Sequence, residues 1–233
     1  MLQSEALKES PFDKLQLRRN NYEQFKNGSA RIVCRSCKFG KVIWIQPHGS
    51  NLEPPWDLWG RIFQWGGQPW TVYWFPATAK RMLPPKGQPV GPEHVNGGYC
   101  YPCNPHSIVI YREEEATRVL LHELLHAACT DPQEASLPIR EATTETWAEL
   151  LLVGLLSKGN ESLAKTYWAK QSQWIANQNE LLRSQYSVRS PEDYAWRYTV
   201  GREEILDALH IPLPSPQKTN NRSSRFTDPS LSP

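Results

Sequence analysis

What this chain lacks narrows the reading before anything it contains. No apolar run approaches the ~20 residues that a membrane-spanning helix needs, and the opening M-L-Q-S-E-A-L-K-E-S has no apolar leader core. The expectation is a soluble, intracellular protein with no membrane partner. Charge of one sign is also missing: Lys and Arg total 26 against 24 Asp and Glu, a formal net charge of +2. Nothing in that balance demands nucleic acid or an acidic partner. Length sets a further bound, since 233 residues give one substantial core, or one core with a small stapled module, and two large domains are not expected.

The charges that are present are unevenly spread. Residues 1–50 carry nine Lys/Arg against four Asp/Glu, and residues 111–160 reverse this with four against nine. Residues 1–29 read as a basic N-terminal segment, a short helix and then a turn at Asn27-Gly28, with Leu15, Leu17, Tyr22 and Phe25 as points of attachment. Ten tryptophans stand in the chain, five of them between Trp56 and Trp74. That stretch reads as strands of an aromatic-rich layer with a hairpin at Gly66-Gly67, an indole-lined groove being the other reading. Residues 83–98 read as a Pro/Gly loop, and the tail 211–233, polar and rich in Pro and Ser, as disordered.

Cysteine is sparse and paired. Cys34-x-x-Cys37 lies between two β-rich runs, and Cys100-x-x-Cys103 follows far downstream, with Cys129 alone and read as a packed core residue. Two such pairs can close one four-thiolate zinc site, a knuckle submodule within residues 30–210; two disulfides, unrelated pairs and reduced thiols are the competing readings. With Arg31, Arg35, Lys38 and Lys41 nearby, a zinc knuckle touching nucleic acid is a further alternative, though four basic residues are weak support for it.

The organising stretch is V-L-L-H-E-L-L-H-A-A. On a helix, His122 and His126 are four residues apart and share one face, so both imidazoles can hold one metal ion. Glu123 sits about 100° round from His122, placed to act as a base on a water without itself binding the metal. Leu120, Leu121, Leu124, Leu125 and Ala128 surround the helix with apolar side chains, so it is expected to be buried. A short strand, Ser107 to Tyr111, precedes it, and the acidic Glu113-Glu114-Glu115 is read as its first turn. A second helix begins at Pro138 and ends near Gly159, with Glu141, Glu145 and Glu149 lining one face. Asn160 caps a third, to about Gln185, and a fourth runs from Ser190 to His210.

These residues resemble the gluzincin clan of zinc metallopeptidases, in which H-E-x-x-H is followed at a set interval by a glutamate ligand on a second helix. Eighteen residues intervene here between His126 and Glu145, and Glu149 stands four beyond it. The resemblance implies His122, His126 and Glu145 as zinc ligands, Glu123 as general base and Glu149 as the group that orients His122. It covers roughly residues 105–157. Thr144 stands where the better-known branches carry Asn, and Glu141 is the fallback ligand. H-E-L-L-H-A-A also looks like the SprT-like proteases, but the third histidine that they and the metzincins use is absent before His210. The expectation is therefore an α+β, zincin-like fold, with a Trp-rich, mainly antiparallel sheet, then the metal helix, the glutamate helix and two more. The expected function is zinc-dependent hydrolysis of a peptide or protein substrate, with one catalytic zinc ion and a second, structural one at the cysteines. Tyr194, Tyr198 and His210 are candidate oxyanion donors by residue type, and the substrate strand is expected beside Ser107 to Tyr111. The alternative keeps the metal but makes the chain a structural or assembly protein.

Overall fold

The computed structural model describes residues 1–219 and 221–231. Its elements run α1 (Leu2–Leu7), α2 (Leu17–Lys26), β1 (Ala30–Cys37), β2 (Gly40–Pro47), α3 (Trp56–Trp65), β3 (Trp70–Trp74), α4 (Pro92–Val95), β4 (Gly98–Cys100), β5 (Ile108–Ile110), α5 (Ala116–Ala127), α6 (Leu137–Ser157), α7 (Glu161–Tyr186) and α8 (Gly201–Ala208). The class is α+β. The chain divides into two compact units, residues 1–80 with 96–130, and residues 81–95 with 131–233.

The first unit is built on a five-stranded sheet in the order β1-β2-β3-β5-β4. Its outer pairs, β1 with β2 and β4 with β5, are antiparallel, while β2–β3 and β3–β5 are parallel. The sheet is thus mixed, not mainly antiparallel as the sequence suggested, because Trp56–Trp65 is a helical crossover and not a pair of strands. The spacing explains the helix: Leu58, Trp59, Ile62 and Phe63 fall on one side of it and are all buried. The side chains alternate across the strands as period two requires. Ile45, Tyr73 and Val109 join Leu2, Leu17 and Tyr22 of the N-terminal helices in one core. On the other face Trp44 meets Trp56, and Trp74 meets Trp59. The indole N–H of Trp59 donates to Thr117 Oγ1 at 2.9 Å, which ties α3 to α5. The basic segment 1–29 is therefore part of the first unit's core.

In the second unit, α6 packs with α7 and α8. Asn160 caps α7 as expected, its side chain accepting from Leu163 N–H at 2.9 Å. The stretch from Ser190 is not one helix: a turn and a single 3₁₀ turn, Trp196–Tyr198, precede α8. The tail corrects a second expectation. Asn220, Ser232 and Pro233 lie outside the described residues, but Ser224, Phe226, Thr227 and Leu231 are buried, and Phe226 joins Trp196, Tyr198 and Leu182 in the unit's core. Its backbone is taken up by side chains of α7: Gln171 Nε2 donates to the Phe226 carbonyl at 2.9 Å, and Trp174 Nε1 to that of Arg225 at 3.1 Å. A polar composition concealed this, because one phenylalanine and a set of backbone bonds do the anchoring.

Candidate metal centre

All twelve residues of α5 are buried, including His122, Glu123 and His126. The helix opens at Ala116 after Glu115, which has left-handed backbone (φ 60°), so the acidic triplet lies before the first turn and not in it. At the other end Thr130 N–H reaches back to the Leu125 carbonyl at 3.1 Å, with Cys129 between them in the left-handed region (φ 57°). That is a Schellman stop with cysteine where glycine is usual.

Within α5 the two imidazoles converge. His122 Nε2 and His126 Nε2 are 3.1 Å apart, with the rings near-perpendicular at 4.7 Å between centroids. Two nitrogens each about 2.0–2.1 Å from a tetrahedral zinc ion are separated by roughly 3.3 Å. The pair therefore fits one ion shared through the two Nε2 atoms. Glu123 projects toward β4: a Cβ built on Gly98 would lie 3.4 Å from Glu123 Cγ, 2.6 Å from Val119 Cγ1 and 2.7 Å from the Val109 carbonyl. Glycine at 98 is what lets this strand approach the helix. The strand beside Glu123 at the sheet edge is β4. Residues 107–111, the expected edge, contain β5, which is interior between β3 and β4.

The three glutamates of α6 differ in their surroundings. Glu145 and Glu149 are buried, and Glu141 is half-buried. Glu149, expected to orient His122, forms a buried ion pair with Arg202 of α8, 3.3 Å from Nη1 to Oε2. Of the tyrosines, Tyr198 is buried and stacks obliquely on Tyr194, with 5.5 Å between ring centroids. Burial raises the Tyr198 phenol well above its usual range, and the negative charge of Glu141 and the bond to Tyr194 push the same way. Tyr198 is thus a neutral O–H near Glu141. His210 is exposed, at the left-handed stop of α8 (φ 59°).

The four-thiolate site is not formed. Cys103 is disulfide-bonded to Cys129, and Cys34, Cys37 and Cys100 lie outside that bridge. Cys34 and Cys37 lie three residues apart in β1, so they point to opposite faces about 10 Å apart along the strand. A plain hairpin, with Cys37 paired to Gly40, replaces the expected knuckle. Cys129 is exposed, not a core residue. Sequence reasoning did not single out Arg202, whose setting depends on contacts far along the chain, or the Cys103–Cys129 pair, whose spacing matches no familiar pattern.

Compared with protein-family models, curated proteins and solved structures, the chain matches none of them. No helix among the described residues is long and apolar enough to cross a membrane.

Proposed function

We propose that this protein is a zinc-dependent metallopeptidase. The carrying observation is the convergence of His122 and His126 Nε2 at 3.1 Å on a buried helix that also carries Glu123. For the third ligand this reading takes a glutamate of α6, Glu145 by its interval from His126, with Glu141 as the fallback. Glu141 is one helical turn before Glu145, so the choice changes the sequence interval and leaves the chemistry of the donor set, two imidazoles and a carboxylate, as it was. A zinc ion bound there supplies Lewis acidity toward a carbonyl oxygen and makes water easier to deprotonate at neutral pH.

Glu123 takes the proton from the attacking water and returns it to the leaving amine. Tyr198, held neutral, is the favoured hydrogen-bond donor to the developing oxyanion, with Tyr194 orienting it. An extended substrate would add to the sheet edge at β4, which runs past Glu123.

Metal analysis and hydrolysis of an unstructured protein substrate test this together. Glu123→Gln is expected to keep one zinc ion per chain and lose about 10²–10⁴-fold in rate. Glu145→Gln should lose zinc where Glu141→Gln keeps it; the reverse result would make Glu141 the ligand. A wild-type protein without zinc, or undiminished hydrolysis by Glu123→Gln, would sink the reading. Zinc bound by a wild-type protein that hydrolyses nothing would make the ion structural.

A further inference from the structure

The end of the metal helix is knotted around one atom. The carbonyl of His126 accepts the backbone N–H of Cys129 at 3.1 Å and that of Cys103 at 3.0 Å, and these two residues are the halves of the disulfide. The bridge thus holds the turn after β4 against the last turn of α5, closing a loop of 26 residues that contains β5 and the whole of α5.

Three features set this bridge apart from a buried structural staple. Both cysteines are exposed, so a reductant can reach either sulfur. Both have left-handed backbone, φ 59° at Cys103 and 57° at Cys129, a conformation that residues with a Cβ adopt at a cost. And the same chain keeps Cys34, Cys37 and Cys100 as thiols, Cys100 only three residues from the bridge. Two exposed cysteines, Cys34 and Cys37, left outside any disulfide fit a chain that meets thiol–disulfide exchange better than one oxidised throughout.

We propose that Cys103–Cys129 is a redox clasp on the metal helix, opened by a dithiol reductant. One thiolate of the reductant attacks an exposed sulfur of the bridge, giving a mixed disulfide and releasing the other cysteine as a thiol. The second thiol of the reductant then displaces the first cysteine. The reductant leaves as its cyclic disulfide, having given two electrons, and the two cysteines gain two protons. With the bridge open, the segment at Cys103 is no longer fastened, and the helix turn that carries His126 loses its external hydrogen bond. As a zinc switch this rests on the reading of His126 as a ligand; as a clasp on α5 it does not.

The full chain, purified without reductant, should alkylate at three cysteines and, after dithiothreitol, at five. Hydrogen exchange of the amides from Leu124 to Thr130 should quicken on reduction, and zinc should bind about tenfold more weakly. Cys129→Ser should reproduce the reduced state without reductant, and reduction of the wild type covers the case in which that variant folds poorly. Cys34→Ser is the control and should leave all three readouts unchanged. Alkylation of five cysteines before reduction, or unchanged exchange in the last turn, would overturn the clasp, and equal zinc affinity in the two states would overturn its action on the metal site. Quickened exchange in a protein that binds no zinc in either state would uphold the clasp and reject the metal reading.

Discussion

At each end of the chain a buried arginine fastens a terminal segment, but the two do so over very different reach. Near the N-terminus Arg18 pairs with Asp13 at 3.0 Å, donates to the Glu5 and Lys8 carbonyls and to the Tyr99 hydroxyl, and lies over the Tyr99 ring. Near the C-terminus Arg202 pairs with Glu149, donates to Gln178 Oε1 and to the Thr199 and Phe226 carbonyls, and lies over the Phe226 ring. The geometries are alike: one guanidinium, one carboxylate, backbone carbonyls and an aromatic face. The ion partners differ. Asp13 is five residues from Arg18 and also caps α2, accepting the backbone N–H groups of Leu17 at 2.8 Å and Arg18 at 3.1 Å. Glu149 is 53 residues from Arg202 and lies on the glutamate helix itself. The N-terminal clasp is therefore a local structure docked onto the sheet, whereas the C-terminal one links the tail, α8, α7 and α6.

The comparison predicts unequal losses. Arg202→Met removes the cation facing a carboxylate that is almost wholly buried, a change that costs about 3–5 kcal/mol. Denaturant unfolding should show a loss of that size, and proteases should begin to cut the segment from Arg222 to Leu231. A loss below about 1 kcal/mol would mean that the pair does not hold the tail.

Arg18→Met should cost less, about 2–3 kcal/mol, because Asp13 keeps the backbone N–H groups of Leu17 and Arg18 as donors. The effect should also stay local, freeing α1 to hydrogen exchange while the Trp-rich face of the sheet stays protected. If Arg18→Met and Arg202→Met cost the same, the distinction between a local and a long-range clasp fails.

The same contrast decides what could be read in the sequence. The histidine-bearing helix α5, the glutamate-bearing helix α6 and the Asn160 cap were legible because each is written in neighbouring residues: i,i+4 histidines inside an apolar run, glutamates at i,i+4,i+8, and Asn before a helix. Trp56–Trp65 was read as strand because five of its residues are aromatic or β-branched, and that preference masked the helical spacing of Leu58, Trp59, Ile62 and Phe63. The tail was read as disordered because its anchors, Gln171, Trp174, Gln178 and Arg202, lie far back in the chain. Spacing alone also could not choose between Glu141 and Glu145, since four residues turn a helix by only about 40° beyond a full turn and both carboxylates stay on one face. The disulfide was hidden for the opposite reason. The two CxxC pairs suggested one four-thiolate site joining them, while the bond joins one member of a pair to the lone cysteine after α5.

The smallest effect sharpens the comparison by pH. The Tyr99 hydroxyl donates to Glu5 Oε2 at 2.7 Å. Burial raises its phenol far above the usual 10, and the bond to Glu5 adds to this while Arg18 opposes it. Tyr73 is raised in the same direction, by burial and then by Glu5. With folded values above unfolded ones, the contribution of these phenols is fully present below about pH 10 and is lost as pH rises through the folded value. Each phenol can weaken docking by at most about 1.4 kcal/mol per pH unit, less for Tyr99 because its ring is partly exposed. The hydrogen bonds that hold the tail to Arg202, Gln171 and Trp174 contain no phenol, and the hydroxyl of Tyr198, whose ring stacks on Phe226, is bonded to Tyr194. Raising pH from about 9 to about 11 should therefore speed hydrogen exchange in α1 before it does so in the tail. Tyr99→Phe should flatten that alkaline response in α1. Earlier release of the tail, or an α1 response unchanged in Tyr99→Phe, would show that the Tyr99–Glu5 bond does not set the strength of the N-terminal clasp.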